Sequence, residues 1–152
     1  MGDDTMIVSF CGHGSVAESE KVRQWVLAVT SDLIANGASI FYLGGYGAFD
    51  GIAKSVIRKF GKEHPHIKSV LILPYLNKSM DEIGYSYTLY PPLETVPKRF
   101  AISKRNEWMV DQSHIVVAYV THSFGGAAKT LEYAKRKHKH IILYPQYLLG
   151  NL

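Results

Sequence analysis

The chain holds a single cysteine, Cys11, so no internal disulfide can form and a reducing cytoplasm is the expected compartment. Long apolar runs are missing too. None approaches the roughly 18 residues of a membrane-spanning helix, so no membrane partner is expected. Met1-Gly2-Asp3-Asp4 has neither a basic flank nor an apolar stretch, which argues against a signal peptide. The seven histidines lack a cysteine or acid cluster at ligand spacing, so no metal is expected. There is no nucleophile elbow, and no Walker lysine, because Ala128 precedes Lys129 where that motif needs glycine. Repeats, linkers and low-complexity tracts are absent as well. With 47% hydrophobic and 20% charged residues, the 152-residue chain reads as one globular domain, 1–152, able to bury its own core.

Short β-rich runs alternate with helical patterns along this chain. That alternation predicts an α/β fold with a mainly parallel sheet of about five strands flanked by helices. The expected strands cover residues 6–10, 39–43, 68–73, 115–120 and 141–144. Ser15 and Glu18 form a capping-box pattern ahead of the first helix, whose apolar stripe is Val22, Trp25, Val26, Val29 and Leu33. Further helices are predicted near 49–62, 98–112 and 125–137. Residues 75–97 break the rhythm with four tyrosines, Tyr75, Tyr85, Tyr87 and Tyr90, and a proline pair. Such a stretch is either a binding loop or a surface excursion packed on the sheet edge. The net charge of +4 owes much to Lys135-Arg136-Lys137 and Lys139. They fall at a predicted helix end, where cations complement the dipole, or form a patch facing phosphate or nucleic acid.

Glycine clusters carry the functional signal. Gly125-Gly126 and Gly44-Gly45-Tyr46-Gly47 each fall between a strand and a helix. Glycines there leave backbone N–H groups unshielded at the positive end of a helix, a ready phosphate site. Gly12-His13-Gly14-Ser15-Val16-Ala17 fits the G-x-G-x-x-A dinucleotide fingerprint, yet the second strand ends in Leu43-Gly44-Gly45 without the acid that holds a ribose. A standard NAD site is therefore not expected, and no other cofactor is indicated. Arg105 and Glu132, on the helices before and after the fourth strand, form the pair of interest. An arginine clamps phosphate or carboxylate bidentately, and a nearby carboxylate serves as a base or stabilises a cationic sugar.

Four runs appear in order along nearly the whole chain: Phe10 to His13, Gly44 to Asp50, Lys104 to Asp111 and Gly125 to Thr130. Together they resemble the SLOG superfamily, above all its small stand-alone bacterial and mobile-element members. The superfamily also includes a DNA-processing protein and the phosphoribohydrolases that activate cytokinins. The resemblance implies a Rossmann-like fold that binds a nucleotide or nucleotide-derived ligand in its glycine turns. Implied ligand contacts are Gly12, His13, Gly44, Gly45, Gly47, Asp50, Asn106, Gly125, Gly126, Lys129 and Thr130. Arg105 and Glu132 match the arginine and final glutamate that carry N-glycosidic cleavage in the phosphoribohydrolases. Ala128 and Lys129 depart from the enzymes' turn, which uses glycine and threonine there. The readings left open are a nucleoside monophosphate N-glycosidase and a non-catalytic sensor or sequestering protein for a cyclic or ADP-ribose-type signal in defence or counter-defence. Single-stranded DNA binding is the less favoured third. Pairing into a homodimer or larger homo-oligomer follows from the superfamily's habit.

Overall fold

The computed structural model describes residues 5–76 and 80–145. Its strands are β1 (Met6–Gly12), β2 (Ala38–Leu43), β3 (Lys68–Ile72), β4 (Tyr87–Leu89), β5 (Ile115–Tyr119) and β6 (His140–Leu143). All pair in parallel in one six-stranded sheet of order β4-β3-β2-β1-β5-β6. The helices are α1 (Ser19–Ala35), α2 (Ala48–Glu63), α3 (Ala101–Gln112) and α4 (Gly126–Arg136), with a turn of 3-10 helix at Lys98–Phe100 leading into α3. This is a Rossmann-like α/β fold.

The two-residue period of a strand decides which helix each side chain meets. Val8 and Phe10 of β1 point to the face where Val22 and Val26 of α1 and Val56 and Ile57 of α2 are buried. Cys11 points the other way, into a cluster with Val116, Ala118 and Leu131. Ser9 points that way too, donating to the Met109 carbonyl of α3 at 3.1 Å and meeting the Ser113 hydroxyl. So α1 and α2 cover one face, and α3 and α4 the other. Lys139 closes α3 from outside, donating to the carbonyls of Asp111 at 3.2 Å and Ser113 at 2.9 Å, where a cation complements the helix dipole.

Two expectations need correction. Helix α1 begins only at Ser19, after Glu18 in a left-handed conformation, and no side chain caps it; Ser15 and Glu18 form no capping box. The reason is tertiary, since the Gly14 carbonyl accepts the Ala48 N–H at 2.9 Å and ties the turn after β1 to the start of α2. The glycines of the fingerprint-like run therefore do not open a helix. The second correction is an additional strand, β4, inside the segment without clear rhythm. It has three residues, too few to show a period, and exists by pairing along the edge of β3. Ser69 and Ser86 reinforce the approach with reciprocal side-chain-to-backbone hydrogen bonds of 3.0 and 3.2 Å. Tyr85 receives the Lys54 ammonium over its ring at 4.4 Å. The excursion thus follows the sheet edge, although residues 77–79 lie outside the described part.

Candidate functional site

The sheet runs outward in opposite directions from β1, toward β2 on one side and β5 on the other. Open α/β sheets bind ligands at such a switch point, beyond the carboxyl ends of the strands. A cavity of about 860 Å³ lies there. The turns after β1, β2 and β5 and the side of α3 form its walls.

Two of these turns are built alike. Gly47, ahead of α2, has φ 91° and ψ 174°; Gly125, ahead of α4, has φ 92° and ψ 176°. Only glycine holds that conformation cheaply. Neither helix has a side-chain cap for the backbone donors of its amino end, although at α2 the Ala48 N–H goes to the Gly14 carbonyl at 2.9 Å.

What fills them differs. At α2 the first turn holds Asp50, which is only 8% exposed. Its Oδ2 accepts the N–H groups of Gly44 at 3.0 Å and Tyr46 at 3.3 Å. Burial pushes the Asp50 carboxyl up to about 6, while the backbone donors and the Arg105 guanidinium pull it down. This helix end already holds its own anion. At α4 the first turn has no acid, and no atom would meet a side chain added at Gly125 or Gly126. That end is open.

Arg105 comes from α3 and is 4% exposed. It donates through Nη1 to the carbonyls of Gly44 at 3.0 Å and Ile72 at 2.8 Å, and through Nε to Asn106 Oδ1 at 2.8 Å. Burial lowers its pKa and the charge of Asp50 raises it. Asn106 spends its oxygen on Arg105, which leaves its amide NH₂ as the donor it can offer a ligand.

His13, 7% exposed, accepts the Thr121 N–H on Nε2 at 2.9 Å. An imidazole that accepts at Nε2 carries its proton on Nδ1, so the ring is a neutral donor of fixed tautomer. Burial, then the neighbouring His122, lowers its pKa, which keeps it neutral. The His122 ring lies flat against it at 3.7 Å, and Phe124 stacks on His122 at 3.9 Å.

Most residues expected from sequence meet in this cavity. Gly12, His13, Gly44, Gly47, Asp50, Arg105, Asn106, Gly125, Gly126 and Thr130 all line it. The Thr130 hydroxyl is spent on the Gly126 carbonyl at 2.9 Å. Gly45, Lys129 and Glu132 are not among the lining residues. Gly45 turns inward, since a Cβ there would come within 2.5 Å of Leu71 Cδ1. Lys129 is exposed on α4. Glu132 is on the solvent side of α4, its side chain 62% exposed and paired with Lys135 at 3.4 Å. The helix period explains this, because Ala128, Thr130, Leu131 and Ala134 take the inward face. Sequence reasoning passed over Tyr46, His122 and Phe124, which also line the cavity. The available signal was an aromatic residue inside or directly before each glycine cluster.

The solved structures that resemble the chain include DNA processing protein A from Helicobacter pylori, described for its single-stranded DNA binding mode. It superposes with a TM-score of 0.68 at 18% identity, over 96% of this chain and 68% of that one. Another is the molybdenum cofactor carrier protein from Chlamydomonas reinhardtii, with a TM-score of 0.62 at 16% identity over 91% and 76% of the two chains. These likenesses show the Rossmann-like fold. In sequence, an uncharacterised SPbeta prophage-derived protein of Bacillus subtilis is 28% identical, over 76% of this chain and 81% of its own. No protein-family profile matches the chain. Among the described residues no helix is long and apolar enough to cross a membrane, and no group of three or more histidine, cysteine or acidic side chains is placed to hold a metal. The cavity is therefore described by its own polar groups: an open helix end at α4, a neutral donor at His13, and the buried Asp50 and Arg105 at its floor.

Proposed function

We propose that this chain binds a nucleotide or nucleotide-derived small molecule, with its phosphate at the amino end of α4. The observation that carries this reading is the difference between two otherwise matching turns. Asp50 supplies the anion at α2, whereas α4 opens into the cavity with free N–H groups and no acid. A phosphate at Gly125 and Gly126 gains those donors and the helix dipole, which together make helix amino ends good anion sites. The cavity volume of about 860 Å³ suits a ligand of nucleotide size. Asp50, Arg105 and Asn106 supply the polar groups that orient the rest of the molecule.

Binding without turnover is the favoured form of this reading, that of a sensor or sequestering protein. Cleavage of an N-glycosidic bond needs a carboxylate at the sugar, and Glu132 faces solvent beside Lys135. Asp50 is inside but already accepts two backbone donors. The prophage origin of the Bacillus subtilis relative fits a ligand-sequestering role. Calorimetric titration with a panel of nucleoside monophosphates and inorganic phosphate, followed by chromatography for released base, tests the reading. Saturable binding with phosphate as a weak competitor, and intact nucleotide after long incubation, is the expected result. Absence of affinity for every phosphate-bearing ligand sinks the binding site, while base release by wild type makes the protein an enzyme.

A further inference from the structure

The turn from β5 to α4 carries two rings, His122 and Phe124, that stack onto His13 of the turn after β1. His13 and His122 stack with centroids 3.7 Å apart and planes 9° apart. His122 and Phe124 continue the column at 3.9 Å and 22°. The inner end is fixed: His13 is buried, its Nε2 takes the Thr121 N–H at 2.9 Å, and Tyr119 meets it edge-on at 6.0 Å. At the outer end Phe124 is 69% exposed while it lines the cavity.

This arrangement is unlike an isolated surface phenylalanine. Offset or parallel stacking is favourable, and a column anchored at a buried ring holds its outermost member at little further cost in side-chain entropy. Phe124 also immediately precedes Gly125, the residue that opens α4. One five-residue turn, 121–125, therefore presents both a flat apolar face and a phosphate-binding end. A ligand that matches both has a flat heteroaromatic ring joined to a phosphate through a short linker.

We propose that Phe124 is the stacking platform for the ligand's heteroaromatic ring, which extends the His13–His122–Phe124 column by one member. The proposal rests on the phosphate reading above and adds the position of the ring. A stacking platform tolerates different bases, because each has a π-face. Selectivity among bases then falls to the polar groups that line the cavity, Asn106 among them.

The test uses the full chain and the variants Phe124→Ala and Phe124→Trp. Calorimetry is run with purine and pyrimidine monophosphates, the matching nucleosides, ribose 5-phosphate and inorganic phosphate. The expected result is a loss of roughly tenfold in nucleotide affinity for Phe124→Ala, the size of one base–aromatic stack, with ribose 5-phosphate unaffected. Phe124→Trp retains nucleotide affinity, and its added indole fluorescence is quenched on nucleotide binding but not on ribose 5-phosphate binding. An unchanged nucleotide affinity in Phe124→Ala overturns the platform. So does an equal loss for nucleotide and ribose 5-phosphate, which makes Phe124 a shaper of the turn only. If nucleosides bind with Phe124 dependence and phosphates add nothing, the platform stands and the phosphate reading falls.

Discussion

The Asp50 carboxylate and the Arg105 guanidinium converge on Gly44: Asp50 Oδ2 lies 3.3 Å, and Arg105 Nη2 3.1 Å, from where a Cβ on that residue would be. A Cβ at position 44 would press on both charged groups, which would have to give by a few tenths of an ångström. The two groups come from helices on opposite faces of the sheet and both approach Gly44, the residue without a side chain that follows β2.

Asp50 makes stability depend on pH in a defined direction. Burial, opposed by its donors and Arg105, raises the carboxyl from an ordinary 3.8 to about 6. Below about pH 4 it is protonated in both folded and unfolded chains. Between there and about pH 6 the folded protein keeps a proton that the unfolded chain has lost, so this group's stabilising contribution declines as pH rises. Asp50→Asn removes that slope. Chemical denaturation of both proteins at a series of pH values should show the variant gaining on wild type by about 3 kcal/mol at most across this window, then holding constant.

Arg105→Ala leaves the Gly44 and Ile72 carbonyls without their donor and Asp50 without its compensating charge. A buried carbonyl left without its donor costs about 1–3 kcal/mol, so urea unfolding should reveal a clearly destabilised chain. Arg105→Lys should recover only part, because an ammonium cannot reproduce the planar fork that reaches two carbonyls and Asn106.

Gly47 and Gly125 share one backbone conformation but not one environment. Alanine at either costs backbone strain of about 1–3 kcal/mol. At Gly47 the new Cβ would also sit 2.7 Å from Gly14 Cα, while at Gly125 it meets no atom within 4 Å. Thermal denaturation should therefore rank Gly47→Ala well below Gly125→Ala. Phosphate binding should show the opposite emphasis, with Gly125→Ala folded yet weakened toward phosphate.

Cys11 lines the cavity and should nonetheless be chemically quiet. Its thiol is pushed up to about 12, by burial first and by the Asp50 charge second. Thiolate is the reactive form, so alkylation at pH 8 should be negligible until denaturant is added. Mass spectrometry with iodoacetamide, with and without urea, reads this directly.

Glu132→Gln should leave nucleotide affinity unchanged and stability within about 0.5 kcal/mol, as for an exposed residue in a surface ion pair with Lys135. A large loss of binding would place Glu132 at the ligand and reopen the glycosidase reading.

Five of the six described strands, the four described helices and the glycine-turn part of the cavity's lining were legible in the residues. Period-2 runs such as Val8, Phe10 and the 3–4 spacing of Val22, Val26 and Leu33 leave little freedom about which side is buried. The glycine turns were legible because a backbone with φ near 91° admits few other residues. The start of α1 was not, because a hydrogen bond from Ala48 to Gly14 overrides the local capping signal. Nor was β4, whose three residues depend on an edge supplied by β3.

The sequence by itself determined the α/β alternation, the glycine turns and the presence of Arg105 and Asp50, since these rest on local periodicity and backbone permissiveness. Only the tertiary structure decided which helix end stays open. Asp50 folds back onto the N–H groups of Gly44 and Tyr46, while no acid does so at Gly125. It also decided that Glu132 faces solvent, because Ala128, Leu131 and Ala134 claim the inward side of α4. Two turns with the same backbone thus acquired different chemistry from a single carboxylate, a distinction that depends on which groups meet in space rather than on which residues are present.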